Sequence, residues 1–177
     1  MAEAEENGES RGRGERLLDR IGYQFVDNAI FREALTHKSY SNEQGGAAVP
    51  HNERLEFLGD AVLDMIISHK IFVAYPQLSE GELTRIRAEV VSEAGLAQVG
   101  RRLELGGCLR LGRGELLTGG REKESLIANG LEALIGAIYC DGGFEAAQQM
   151  VLRLFQPFIE RAFQEKSGID YKTRLQE

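Results

Sequence analysis

Three carboxylates recur at helical spacing in the segment HNERLEFLGDAVLD, at Glu53, Glu56 and Asp60. Positions i, i+3 and i+7 fall along one stripe of a helix, at about 100° per residue. A different face carries the apolar residues Leu55, Leu58, Val62 and Ile66. Like charges at this spacing repel, so they call for basic partners, protonation or a divalent cation. Oxygen ligands favour Mg²⁺ or Mn²⁺ over zinc, and a solvated acidic face is the alternative.

A second segment, LIANGLEALIGAI at 126–138, contains two isolated polar side chains, Asn129 and Glu132. The run is otherwise apolar, so these two groups must be satisfied inside the protein. A metal shared with Glu56 and Asp60 would satisfy them. A buried Asn–Glu hydrogen bond, or an ion pair with an arginine, would do so equally well.

Phe57 lies only about 40° around the helix from Glu53, on the acidic side and not on the core side. Single apolar residues are often exposed on a protein surface. An aromatic residue there can also anchor a partner chain. Both interpretations stay open from the spacing alone.

A glycine-rich segment, GRGELLTGGREKES at 112–125, carries Arg113, Arg121 and Lys123. Cations among glycines are typical of loops that contact phosphate. The segment lacks the ending and the preceding strand of a nucleotide-binding loop, so its spacing is a weak signal. A solvated loop is the alternative.

Other catalytic chemistries find little support. The three histidines, His37, His51 and His69, are scattered and do not have the spacing of a catalytic triad. The two cysteines, Cys108 and Cys140, have no neighbouring Cys or His at zinc-ligand spacing. We therefore expect reduced thiols and no nucleophilic triad.

Helical periodicity runs through most of the chain. It predicts helices at 15–21, 27–35, 52–73, 79–90, 92–105, 125–140 and 144–164. Loops are predicted at 39–50 and at 106–120, the second with at most a short helix. Asp27, Asn52 and Ser92 are predicted N-caps, and Ser79 with Glu82 has capping-box spacing. No segment alternates with period two for long enough to build a sheet. The sequence therefore predicts an all-α fold without internal repeats.

The 177 residues, 42% of them hydrophobic, are enough for one domain with a real core. A formal net charge of −7 argues against a general basic surface for nucleic acid. A nuclease can still be acidic overall, because a bound cation reverses the sign at its metal site. No apolar run reaches the roughly 18–20 residues that span a bilayer. We expect a soluble, cytoplasmic protein with no membrane partner.

These motifs resemble the catalytic domain of ribonuclease III, the double-stranded-RNA endonuclease. The stretch NERLEFLGD at 52–60 matches the signature of that family. The resemblance continues through ALTHKS, SEGELTRIRA, LRLGRGE, GGREKES and LEALIGAIYCDGG, and it covers nearly everything from 16 to 159. It implies an all-helical endonuclease domain that acts as a homodimer, with a catalytic valley between the subunits.

The resemblance also implies roles for individual residues. Positions matching Glu56, Asp60 and Glu132 bind the catalytic Mg²⁺, for which Mn²⁺ can substitute, and Asn129 stands where the family usually has Asp. Catalytic residues are then expected at Glu53, Asp60, Glu80 and Glu132. Phe57 matches an aromatic residue that enters a socket on the partner subunit. Arg113, Arg121 and Lys123 would lie near the RNA backbone.

The function implied is Mg²⁺-dependent hydrolysis of double-stranded RNA to 5′-phosphate and 3′-hydroxyl ends, in RNA processing. Because an amide at Asn129 adds no negative charge, a catalytically silent RNA-binding or dimerisation module is the alternative. A generic helical scaffold with an incidental acidic face is a third interpretation.

Three segments are predicted along the chain. Residues 1–13 are rich in Glu, Gly and Arg and indicate a flexible tail, and residues 14–164 form the endonuclease domain. Residues 165–177 resemble the start of a linker to a double-stranded-RNA-binding domain that this sequence does not contain.

Overall fold

The computed structural model describes residues 2–44 and 49–174, with side-chain surroundings over 12–44 and 49–164. These residues form nine α-helices, one short 3₁₀ helix and a single parallel bridge between Thr36 and Arg110. The helices are α1 (Ala2–Ile21), α2 (Asn28–Ala34), α3 (Lys38–Glu43), α4 (Glu53–Ala74), α5 (Glu80–Val90), α6 (Glu93–Arg102), α7 (Leu105–Cys108), α8 (Arg113–Leu117) and α9 (Glu124–Arg174). The 3₁₀ helix is Gly120–Glu122. The predicted all-α class is confirmed.

The centre of the fold is the pair of helices α4 and α9. Of the core face predicted for α4, Leu55, Val62 and Ile66 are buried and Leu58 is half-buried. The facing sides also bury Leu63 of α4 and Leu131, Ile135 and Ile138 of α9. The two backbones touch at a pair of glycines. A Cβ on Gly59 would overlap the carbonyl of Glu132, and one on Gly136 would overlap the carbonyl of Leu55. This crossing fixes the position of the acidic side of α4 relative to α9.

α9 is interrupted at Gly143, where the backbone has φ 80° and ψ −178°. The break predicted between the helices at 125–140 and 144–164 is therefore confirmed. Beside the break, Asp141 accepts three hydrogen bonds, from the hydroxyl of Tyr23 at 2.7 Å and from the backbone N–H groups of Val26 at 2.9 Å and Asp27 at 2.8 Å. One carboxylate thus holds the α1–α2 connection against α9.

Most predicted helix starts have the expected caps. Asp27 accepts a hydrogen bond from the N–H of Ala29, and Ser92 accepts one from Gly95. The capping box at Ser79 is present, with Glu82 accepting from the Ser79 backbone N–H at 2.7 Å. Asn52 precedes α4 as predicted, but its side chain makes no cap hydrogen bond, because its backbone is already helical and the residue is buried. The prediction of a side-chain cap there is wrong.

Two predicted loops contain short helices. α3 lies within the predicted loop 39–50, of which residues 45–48 are outside the described part. The predicted loop 106–120 contains α8 and parts of two other short elements. Contacts distant in sequence hold α8 in place. Glu43 accepts from the N–H of Arg113 at 2.8 Å, and Ser39 accepts from the N–H of Gly112 at 2.9 Å.

Residues 2–13 of the segment predicted as a tail belong to a helix. α1 begins at Ala2 and is one continuous helix to Ile21. Its C-terminal part is anchored by the buried Leu17 and Ile21, and a helix with one packed end extends by one hydrogen bond per added residue. At the other end α9 extends to Arg174, and the last residues of the predicted linker, 175–177, lie outside the described part. Across the described helices, none has the length and apolar character of a bilayer-spanning segment.

Candidate active site

The acidic stripe of α4 is divided between solvent and the helix interface. Glu53 is exposed and forms an ion pair with Lys38, whose Nζ lies 2.7 Å from its Oε1. His51 Nδ1 lies 3.8 Å from the other oxygen of Glu53. Glu56 is half-buried, and Asp60 is exposed. Lys38 thus offsets part of the repulsion expected along the stripe, by direct pairing with Glu53 and, more weakly, through its charge at Glu56.

Asn129 and Glu132 of α9 approach this stripe across the helix crossing. The Asn129 side chain hydrogen-bonds the Glu56 carboxylate, which favours the charged form of that acid. Asn129 thus pairs with Glu56 of the other helix, whereas the alternative of a buried Asn–Glu pair had joined it to Glu132. Glu132 lies in the field of Asp60, Glu56 and Asp64. The structure brings four of the predicted site residues together.

The electrostatics of this cluster are strongly negative. Burial, followed by the charges of Asp60, Glu56 and Asp64, raises the pKa of Glu132 to about 7. Burial and the neighbouring Glu53 likewise raise the pKa of Glu56. All four influences on Glu132 oppose its ionisation, and none comes from a cation. Near neutral pH the site therefore favours binding either a proton or a metal ion.

The donor chemistry fits a hard divalent cation. Three carboxylates and one amide offer oxygen ligands, the set typical of Mg²⁺ and Mn²⁺. Among the described residues, no three acidic, histidine or cysteine side chains are already gathered into a metal centre. The cluster thus has the negative charge and the ligand types that such a cation needs. Its side-chain oxygens would have to move closer together to coordinate one ion.

We predict that the protein without metal becomes less stable as the pH rises from about 4.5 to about 7. The folded state retains the Glu132 proton up to a pKa of about 7, whereas the unfolded state loses it near the ordinary value of 4.5. The unfolded state therefore binds fewer protons in this range, and stability falls with increasing pH. Melting temperatures measured in EDTA across this range test the prediction.

A Glu132→Gln variant serves as the control, because it removes the titrating group but keeps the shape. Its melting temperature should fall less over the same interval. If the melting temperatures of the two proteins fell equally with pH, the pKa of Glu132 would not be raised.

Glu80 lies apart from the other predicted carboxylates. It is exposed in the first turn of α5, and its Oε1 accepts a hydrogen bond from Thr84 at 3.0 Å. Glu80 lines a groove of about 510 Å³ between α4 and α5, together with Met65, His69 and Phe72. Its catalytic role stays a prediction.

The three predicted RNA contacts have different surroundings. Arg113 is exposed at the start of α8. Lys123 forms an ion pair with Glu115 at 2.7 Å. Arg121 is half-buried, and its Nη1 donates to the carbonyls of Gly106, Gly107 and Leu109 at 2.8–3.3 Å. Arg113 is therefore the most accessible of the three for a contact with RNA. Arg121 also stabilises the fold through its backbone contacts.

Sequence reasoning missed two charged residues at this site. Lys38 is the partner of Glu53, and Asp64 adds to the negative field at Glu132. Asp64 follows Asp60 by four residues, so the i, i+4 rule could have added it to the stripe. The Lys38 contact joins two helices and had no local signal.

Solved structures show what kind of domain this architecture belongs to. The nuclease domain of ribonuclease III from Campylobacter jejuni superposes with a TM-score of 0.75 at 39% identity, covering 81% of this chain and 96% of that one. Dicer from Pichia stipitis gives a TM-score of 0.59 at 25% identity, over 78% of this chain and 59% of its own. The fold is that of a ribonuclease III nuclease domain.

Sequence comparisons agree with this class. A family model described as Ribonuclease-III-like matches residues 27–158. Ribonuclease 3 of Syntrophotalea carbinolica is 58% identical over 161 residues, which cover 91% of this chain and 69% of the relative. Ribonuclease 3 of Streptomyces coelicolor is 49% identical over 175 residues, which cover 98% of this chain and 62% of the relative. The chain belongs to the ribonuclease III family and is an endoribonuclease of that type.

Proposed function

We propose that this chain hydrolyses phosphodiester bonds of double-stranded RNA with Mg²⁺, or Mn²⁺ in its place, held between α4 and α9. The observation that carries the proposal is the position of Glu132. It is largely buried beside Asp60 and Glu56, and its pKa is raised to about 7 by burial and by like charges alone. A divalent cation bound beside this carboxylate would stabilise its charged form.

Glu56, Asp60, Asn129 and Glu132 would hold the ion. A bound Mg²⁺ would lower the pKa of a coordinated water and neutralise charge on the phosphate. The chain's own contribution is positioning. Asn129 fixes the Glu56 carboxylate through their hydrogen bond, and the glycine crossing fixes the two helices. Lys38 neutralises Glu53 at the edge of the cluster by pairing with it.

RNA placement would use cations at the rim. Arg113 is exposed, so its guanidinium is available for a backbone phosphate. Contacts of this kind hold a duplex by shape and charge without reading its sequence. We propose Glu53 and Glu80 as acids near the bound RNA and the attacking water.

The test is incubation with a long RNA duplex in Mg²⁺, in Mn²⁺ and in EDTA. We expect short duplex products with 5′-phosphate and 3′-hydroxyl ends in either metal and intact RNA in EDTA. RNA left intact under all three conditions would favour the alternative, a silent RNA-binding or dimerisation module.

Asn129 is the observation behind that alternative, because its amide replaces a charged ligand. An Asn129→Asp variant in the same Mg²⁺ titration separates the two functions. An added anionic ligand should lower the half-saturating Mg²⁺ concentration of an active enzyme. Cleavage that appears only in this variant would show that the natural chain is the silent module.

We further propose that the chain forms a homodimer through the outer face of α4. Phe57, Met65 and Phe72 follow one another along this helix and are 81%, 53% and 68% exposed. Large apolar side chains in one stripe are typical of a surface that another chain covers. The related Campylobacter jejuni structure is described as having a region involved in dimer formation.

Phe57→Ala should weaken this dimer by about 2 kcal/mol, roughly thirtyfold in dissociation constant, because a central aromatic anchor is lost. Sedimentation at low micromolar concentration measures the change. Val26→Ala is the matched control, since Val26 is 88% exposed but lies outside α4. An unchanged dimer in the Phe57 variant would contradict the anchor role.

A further inference from the structure

A cavity of about 260 Å³ lies between α1, α6, α7 and the 3₁₀ helix, and it shares no lining residue with the carboxylate cluster. Five arginines line it, Arg13, Arg16, Arg20, Arg101 and Arg121, together with the acids Glu104 and Glu122. The lining therefore carries a formal charge of +3 in a chain whose net charge is −7. We call this cavity the arginine pocket.

Three of the guanidinium groups are held in place by the protein. Arg20 donates to the carbonyl of Leu103 at 3.0 Å and to Glu104 at 2.7 Å. Arg101 pairs with Glu124 at 2.9 Å, and Arg121 uses its Nη1 for backbone carbonyls. These contacts fix the direction of the side chains before any ligand arrives.

Arg13 provides an independent sign of a missing partner. Its Nε is buried and has no hydrogen-bond partner, which is costly for a charged donor. Cys108, also in the lining, contributes no negative charge, because burial raises the pKa of its thiol. The positive charges gathered around the cavity repel one another, so a bound anion would relieve this repulsion.

We propose that the arginine pocket binds a phosphate-bearing anion. The planar guanidinium fork matches phosphate oxygens with paired hydrogen bonds. The volume is below the roughly 300–1,000 Å³ of sites for drug-sized ligands, which suits a group of one or two phosphates. The phosphate is either a small free anion or part of an RNA strand.

The test is calorimetric titration of the full chain with pyrophosphate in a chloride buffer with EDTA, which removes metal effects. We expect saturable binding of one anion per chain. Arg13→Gln and Arg16→Gln should each weaken it about tenfold, the effect of losing one charge-assisted contact. Arg32→Gln is the matched control, because Arg32 is exposed on α2 outside the pocket. Arg16 is exposed, so its variant decides the matter if Arg13→Gln does not fold.

Absence of saturable binding would overturn the proposal, as would equal weakening by Arg32→Gln, which would show a general charge effect. A second titration in the presence of a short RNA duplex identifies the source of the phosphate. Displacement of pyrophosphate by the duplex, with weaker RNA binding by Arg16→Gln, assigns the pocket to an RNA phosphate. Unchanged pyrophosphate binding assigns it to a free anion.

Discussion

Glu132→Ala should reduce cleavage of duplex RNA at saturating Mg²⁺ by about 100-fold or more. The variant removes an anionic ligand from the proposed site, and groups that stabilise charge in a transition state are typically worth this much. Asn129, on the same helix, is an amide and supplies no charge in its place. Asp60→Ala should have an effect of similar size. Initial rates on a defined duplex measure both.

Asp64→Ala is the matched control for these two variants. Asp64 acts on the same Glu132 carboxylate but is not among the four proposed ligands. The Asp64→Ala variant should keep most of the cleavage activity. All three variants should keep the helical circular dichroism. Near-normal cleavage by Glu132→Ala, or an equal loss in Asp64→Ala, would refute the ligand assignment.

Gly59→Ala should lower the free energy of unfolding by about 3 kcal/mol, the upper part of the range for overpacked cores. The added Cβ would overlap the Glu132 carbonyl, a backbone atom that cannot rotate away. α4 and α9 must therefore separate, which also displaces Glu132 from Asp60. Urea unfolding in EDTA measures the stability, and the cleavage rate of the folded fraction measures the displacement.

Gly81→Ala is the control for a glycine in a helix. Nothing lies within 4 Å of a Cβ at that position. Alanine should there stabilise the protein by about 0.5–1 kcal/mol through its higher helix propensity. A Gly59→Ala variant as stable as the natural chain would show that the helix crossing tolerates separation.

Features governed by neighbouring residues were predictable from the sequence. The long helix at 52–73 corresponds to α4, the capping box at Ser79 is present, and the glycine stop falls at Gly143. Each depends on apolar periodicity, a side-chain cap or a backbone conformation that glycine favours.

Features that depend on distant contacts were not predictable. α8 is held by Glu43, which lies 70 residues away from Arg113 in the chain. The buried start of α4 leaves Asn52 without its expected cap bond. Apolar periodicity carries no information about such distant partners, so α3 was assigned to a loop and the segment that contains α8 was predicted as a loop with at most a short helix.

The candidate site was predictable in composition but not in pairing. Spacing and resemblance selected Glu56, Asp60 and Glu132, which the structure brings together. That Asn129 would bond Glu56 depends on the helix crossing angle. The arginine pocket had no signal at all, because its cations come from separate segments of the chain.

The α4–α9 crossing also determines when the proposed nuclease site can exist. Glu56 and Asp60 precede Glu132 by more than 70 residues, so a growing polypeptide exposes its acidic stripe well before the other half of the site is synthesised. The stripe cannot acquire its remaining ligands until α9 has left the ribosome and packed against α4. A chain that still lacks α9 would hold only Glu56 and Asp60 of the four proposed ligands, so the proposed site would be assembled late in folding.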